Sequence, residues 1–394
     1  MKPRSSLLLA ASSAGLAILL VALPATTARR PRYGGTLRVE IEGAVTSLDP
    51  EAPAMSEAED AAKAELGSLI YDNRDASGTS HGGGPFHVTA FEAGKRAVLA
   101  ATEDYRLGRP FVDSIEITMG RAARDRILDL ELNKADFAEI PAEDARRAAE
   151  HGVRVSRSKP DELLALVFTG GDEPGRGKPL SAKARDAIAL SIDRAAIVNF
   201  ILQKEGEPAG GLLPQWSSGT AFLFSTVADP VHAKELSAQI VPAPKIVLGY
   251  DSGDSLEQAV AERIAVDARE ARVQITPQAM RRGLENVTDA RLIRLRMQSK
   301  SPAAALESFI DGLAVTTGLE VAGLPDSASA EDIYNRERAI VSSYRVVPLV
   351  WLPRVFGLSG RVRDWTPPGP GERWSLADVW LDGPVEAAVE EGKK

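Results

Sequence analysis

The most regular stretch of the chain begins at Lys178-Pro179-Leu180-Ser181, ends at Gly206, and is followed by Gly210-Gly211-Leu212-Leu213-Pro214. Ala184, Ala187, Ile188, Ser191, Ile192, Ala195, Val198 and Leu202 recur at steps of three and four, which puts them on one face of a helix. Arg185, Asp186, Asp193, Arg194 and Asn199 lie largely off that face. Ser181 is placed to cap the start, and Gly206 to end the run in the left-handed conformation. Taken alone, the pattern is that of an amphipathic scaffold helix.

The flanking chain alternates strands and helices. Leu37 to Ile41 alternates apolar and polar positions, as a half-buried strand does, and Glu57 to Leu69 is an Ala/Glu-rich helix. Ile115, Ile117 and Met119 alternate again, and Ala122 to Leu132 reads as a helix. It is followed by Asn133, a residue suited to a left-handed position. Leu163 to Thr169 is a short apolar strand, and Lys245 to Tyr250 a buried-type one. Ser255 with Gln258 three residues on forms a capping-box pattern; Leu256, Ala259, Val260, Ile264, Ala268 and Ala271 line that helix's inner face. Val273-Gln274-Ile275 then starts a strand, so the unit is βαβ with a parallel pair. Glu331 to Tyr344 is a helix and Val346 to Leu352 a strand. The succession predicts an α/β protein.

At 394 residues the chain is long enough for two lobes. Its 26% charged and 44% hydrophobic residues are ordinary for a globular protein. A net charge of −8 without a basic block argues against nucleic acid as a partner. There is no cysteine, which excludes disulfides, thiolate metal sites, a cysteine nucleophile and a lipid-modified N-terminal cysteine. Residues 1–28 read as an export signal: Lys2 and Arg4, an apolar run from Leu7 to Leu23, then Thr26-Thr27-Ala28. Arg29, Arg30 and Arg32 oppose the usual charge bias, so an uncleaved anchor is the competing reading. Cleavage would leave 45 basic against 55 acidic residues, or −10.

Several of these runs resemble the extracytoplasmic solute-binding proteins of family five, the peptide- and nickel-binding partners of ABC importers. They are Ala184-Arg185-Asp186-Ala187, Ile192-Asp193-Arg194 with its Gly-Gly-Leu-Leu-Pro exit, Gly34-Gly35-Thr36-Leu37 with Leu48-Asp49-Pro50, Asp104-Tyr105 through Gly108-Arg109-Pro110, and Val347-Pro348-Leu349 near the end. The resemblance implies a two-lobed periplasmic-binding-protein fold of type II with crossover strands near 168 and 346. Lobe I would comprise 33–167 and 346–394, and lobe II 168–345. It implies an exported, periplasmic monomer that captures a small or peptide-like solute by lobe closure. The solute would pass to an inner-membrane permease, with no cofactor and no catalysis. At Asn73 to Gly84 a loop-like segment stands where the family carries a small subdomain, so that subdomain is expected to be largely missing. In peptide-binding relatives an Asp anchors the ligand's α-amino group; the corresponding 291–299 segment has no acid. This departure motivates an alternative, a degenerate paralogue acting as an accessory or interaction protein.

Enzyme motifs fail on their details. His81-Gly82-Gly83-Gly84 resembles an oxyanion strand, but no Gly-x-Ser-x-Gly elbow accompanies it, Gly357-Leu358-Ser359-Gly360 being one residue short. Gly175-Arg176-Gly177-Lys178 is followed by Pro179 where a phosphate loop needs Ser or Thr. The four histidines, His81, His87, His151 and His232, have no metal-ligand spacing. For a binding cleft the candidates are Trp216 and Trp351 as aromatic walls and Arg294 and Arg296, with Arg291, as a cationic group suited to an anionic ligand. Packing within a lobe and a basic solvated helix face are the competing readings.

Overall fold

Two sheets carry the unit Arg32–Lys394. A computed structural model describes residues 30–49, 51–74, 80–169, 180–280, 288–317, 323–324 and 328–383. The expected export signal at 1–28, the Gly170–Gly175 loop and the phosphate-loop-like run lie outside the described residues, as does the end of the tail.

The first sheet has seven strands in the order Phe86–Glu92, Arg96–Ala101, Ser114–Thr118, Thr36–Glu40, Phe137–Ile140, Val355–Leu358, Arg154–Arg157. Thr36–Glu40 runs parallel to both neighbours, and its alternation buries Leu37 and Val39 against Leu66, Leu69 and Phe137. Val355–Leu358 is antiparallel to its two neighbours. Where a subdomain was expected to be missing, Tyr71–Arg74 and Ser80–Gly82 pair as a short antiparallel hairpin. Gly84 then passes so close to the end of the Glu57–Ile70 helix that a Cβ there would stand 2.5 Å from the Ile70 carbonyl carbon. Only glycine permits that direct return.

The second sheet has six strands in the order Glu207–Pro208, Val346–Leu352, Glu162–Phe168, Ala290–Arg296, Lys245–Asp251, Gln274–Met280. Along Glu162–Phe168 the residues Leu164, Leu166 and Phe168 enter one core, while Leu163, Ala165 and Val167 enter another. A strand with period-two side chains that is apolar at every position is one covered on both faces. The parallel βαβ unit forms as expected around helix Ser255–Glu270, but Asp254 rather than Ser255 caps it, accepting the Glu257 N–H at 2.9 Å. Asn133 adopts φ 55°, the left-handed conformation expected of it.

The opening stretch departs from a single helix. Ser181 caps Ala182–Ser191, but Asp193 then accepts the Ala196 N–H at 2.9 Å and starts a second turn, Arg194–Ala196, followed by a wider π-type turn, Ile197–Ile201. A short acidic side chain that bonds the backbone locally interrupts a helix that periodicity alone would continue. After the break Ala195 is exposed and Arg194 is buried, its Nε donating to the Pro348 carbonyl at 2.8 Å.

The chain crosses from the first sheet to the second through 158–161 and returns through 353–354. Glu162–Phe168 pairs antiparallel with Ala290–Arg296 on one side and Val346–Leu352 on the other. The expected boundaries at 167/168 and 345/346 therefore do not coincide with sheet membership: both strands they assigned to lobe I are interior strands of the second sheet.

Candidate functional site

The segment around Arg294 and Arg296 is a strand, not a helix face, and its period of two puts both arginines on one side. Glu162 lies opposite Arg296 in the ladder and takes both: Arg294 Nη1 donates to its Oε1 at 2.6 Å and Arg296 Nη2 to its Oε2 at 2.8 Å. Arg294 Nη2 also pairs with Asp254 at 2.5 Å. Burial pushes the Glu162 carboxyl up, but the two arginines outweigh it and hold it at about 2. Both guanidiniums are engaged by Glu162, and Arg294 by Asp254 as well, while Arg294 Nε has no hydrogen-bond partner among the described residues.

The two tryptophans separate. Trp216 sits on the short helix Gln215–Ser218 and donates its indole N–H to the Pro160 carbonyl at 2.7 Å, with Lys159 Nζ 5.2 Å above its ring. It is tied to the first crossing. Trp351 is 3% exposed and packs against Phe309 in the second sheet's core, so its aromatic surface serves packing.

Sequence reasoning missed the carboxylates that surround these groups. On the second crossing, Arg354 Nη2 reaches Glu65 Oε1 at 3.2 Å and Glu139 Oε2 at 2.8 Å, both from the first sheet's side. Glu257 lies 3.9 Å from Arg294 Nε, and Ser255 donates to Glu143 Oε1 at 3.1 Å, joining the second sheet's helix to the turn after Phe137–Ile140. Asp161, on the first crossing, is 2% exposed, and its Oδ1 has no hydrogen-bond partner among the described residues. Charged groups from both sheets thus converge at the two crossings, where Arg296 and Glu139 each keep 35% of their side-chain surface accessible.

Electrostatics divides the carboxylates. Burial raises Asp161 and Glu257 to about 7 each, despite the pull of Arg296 on the first and the Asp251 N–H on the second. Burial also raises Glu143 and Glu65, whereas Arg354 overcomes burial at Glu139 and lowers it. Among the described residues no group of three or more His, Asp or Glu side chains is arranged to hold a metal ion. His87, His151 and His232 are exposed, His151 paired with Glu131 at 2.8 Å.

Comparison with known proteins gives concordant matches. The family model described as bacterial extracellular solute-binding proteins, family 5 Middle, matches residues 36–306. The oligopeptide-binding protein AppA of Bacillus subtilis is 28% identical over 129 residues, 32% of this chain and 23% of that protein. The nickel-binding protein NikA of Staphylococcus aureus is 25% identical over 145 residues, 36% of this chain and 28% of that protein. The matched region thus spans about a quarter of the length of these curated relatives. Among solved structures, Helicobacter pylori DppA in complex with the peptide STSA superposes with a TM-score of 0.69 at 13% identity, covering 90% of this chain and 99% of that one. Bacillus subtilis AppA in complex with a nonapeptide gives 0.64 at 12% identity, covering 90% and 100%.

Proposed function

The chain belongs to the bacterial extracellular solute-binding proteins of family 5 and has their two-lobed type II α/β fold, its small N-terminal subdomain largely replaced by a hairpin; from that premise we propose that it captures a small solute between its lobes without chemistry. The solute is peptide-like or another small molecule, and the receiving partner is an inner-membrane ABC permease. The lobes divide at the crossings, 158–161 and 353–354, and close by hinge motion there. The protein acts outside the cytoplasm, after export, as a monomer. Among the described residues no helix is long and apolar enough to cross a membrane.

What supports this reading is the family match together with the charged groups of both sheets that converge at the crossings. There Trp216 forms part of the wall beside the first crossing, and Arg294 and Arg296 act as fixed partners that orient Glu162. Trp351 has no place in the ligand site.

The hairpin in place of a subdomain, with no acid in 291–299, favours a second reading, a paralogue serving as an accessory or interaction protein. Isothermal titration against panels of peptides, sugars and small anions separates the two. Saturable binding of any one class supports solute capture. Silence across all three favours the accessory reading.

A further inference from the structure

Two covalent crossings join the lobes, and a Pro/Gly-rich loop of the first lobe adds a third link. The loop runs Thr366-Pro367-Pro368-Gly369-Pro370-Gly371-Glu372-Arg373. Both its ends are held in the first sheet's core. Trp365 meets Phe356 edge-on at 4.8 Å and Phe137 at 4.9 Å, and Trp374 meets Phe137 at 4.9 Å. The Trp374 backbone N–H donates to Glu65 Oε2 at 2.7 Å, and the same carboxylate takes Arg354 of the second crossing. Between these anchors three prolines fix φ, and Pro368 and Pro370 are buried, so the loop is stiff.

Its tip touches the second lobe. Glu372 accepts the Gly369 N–H on Oε2 at 2.8 Å and pairs through Oε1 with Lys300, four residues past the end of strand Ala290–Arg296. Gly371, at φ 72°, passes so close to Gln298 that a Cβ there would stand 2.3 Å from the Gln298 carbonyl oxygen. Only glycine permits that approach. Met297, next to Gln298, donates its backbone N–H to the Asp161 carbonyl of the first crossing at 2.8 Å. The loop is therefore tied at its base to one crossing and meets, at its tip, a segment tied to the other.

We propose that the 366–373 loop is an interlobe strap, which holds the lobes in the arrangement where Ser255 also reaches Glu143 and must let go before they open. The backbone apposition at Gly371 sets the position, and the Glu372–Lys300 pair is the latch. Its side chains are 51% and 63% exposed, so the latch is weak enough to yield. The inference goes beyond solute capture and rests only on the hinge motion in that reading.

The chain has no cysteine, so one introduced pair at exposed positions, Ala93→Cys and Lys234→Cys, carries spin labels on the full chain without competition. Pulsed dipolar spectroscopy then reads the interlobe distance distribution. Lys300→Glu and Glu372→Lys should each lower the share of the parent's distance relative to a second one by up to about fivefold, the strength of an exposed ion pair. The double exchange should restore it. Gly371→Ala, which sets a methyl against backbone, should shift the distribution further. Pro160→Gly loosens the first crossing without touching the strap and serves as the hinge control. If Pro160→Gly changes the distribution but the strap variants do not, or the double exchange restores nothing, the strap falls and hinge motion stands. If no variant changes it, both fall, and solute capture remains with the titrations.

Discussion

Asp136 and Asp161 are both fully enclosed, yet their surroundings are opposite. Asp136, in the first sheet, accepts from the Arg38 backbone N–H at 3.0 Å, from Arg38 Nε at 2.9 Å and from Ser359 Oγ at 2.9 Å. Arg361 Nε and Nη2 both add contacts at 2.8 Å. Burial alone would raise its carboxyl; Arg38 and Arg361 overcome that and lower it. Asp161, on the crossing between the sheets, has an oxygen with no partner and titrates at about 7. Burial pushes both carboxyls up, and the charge survives only where the donors around it outweigh burial. A fully answered carboxylate keeps its charge and holds strands together, whereas burial favours the neutral form of an unanswered one.

The sharpest way to break this comparison is Asp136→Asn. It leaves Arg38 and Arg361 facing an amide and should cost about 3 kcal/mol in denaturant unfolding, at the low end for a broken buried pair because both arginines are partly exposed. A loss under 1 kcal/mol would place Asp136 in the same class as Asp161. The second substitution has the opposite sign. Because the folded-state pKa of Asp161 is raised to about 7 from about 3.9 in the free chain, the fold binds the proton more tightly. Stability from this group is therefore full at low pH and falls as pH rises from about 4 through about 7. Asp161→Asn should abolish that dependence and make the protein about 2 kcal/mol more stable than the parent at pH 8, read from melting curves across pH. Equal stability of the two proteins at every pH would contradict the assignment. Smallest is Trp216→Phe, which removes the indole bond to Pro160 beside Asp161 and should cost about 1 kcal/mol. Its effect on solute affinity should exceed its effect on stability if the crossing forms a wall of the cleft.

Much of the scaffold was legible. The βαβ unit, the capping serine at 181, the left-handed Asn133 and the buried strand ending at Leu352 follow from local periodicity and turn chemistry. Where a local rule competed with periodicity, periodicity lost: Asp193 broke the central helix, and Arg194 turned inward. Which sheet receives 162–168 and 346–352 is not legible, because an apolar strand reads the same whichever sheet receives it. The site was far less legible. Glu65, Glu139, Glu162, Arg294 and Arg354 meet only through the two crossings, and no sequence spacing brings them together. The available hint was charge set against apolar strands: Asp161-Glu162 before one and Arg354 after another. Of the residues singled out, Arg294 and Arg296 pair with Glu162, Trp216 is tied to the first crossing, and Trp351 lies in the core.

Native mass spectrometry of the protein purified from its own host tests the central claim most directly. Solute capture predicts a population carrying one small molecule, lost on mild activation. A bare chain alone, at the same mass under gentle and harsh conditions and with no solute recovered after denaturation, would contradict it.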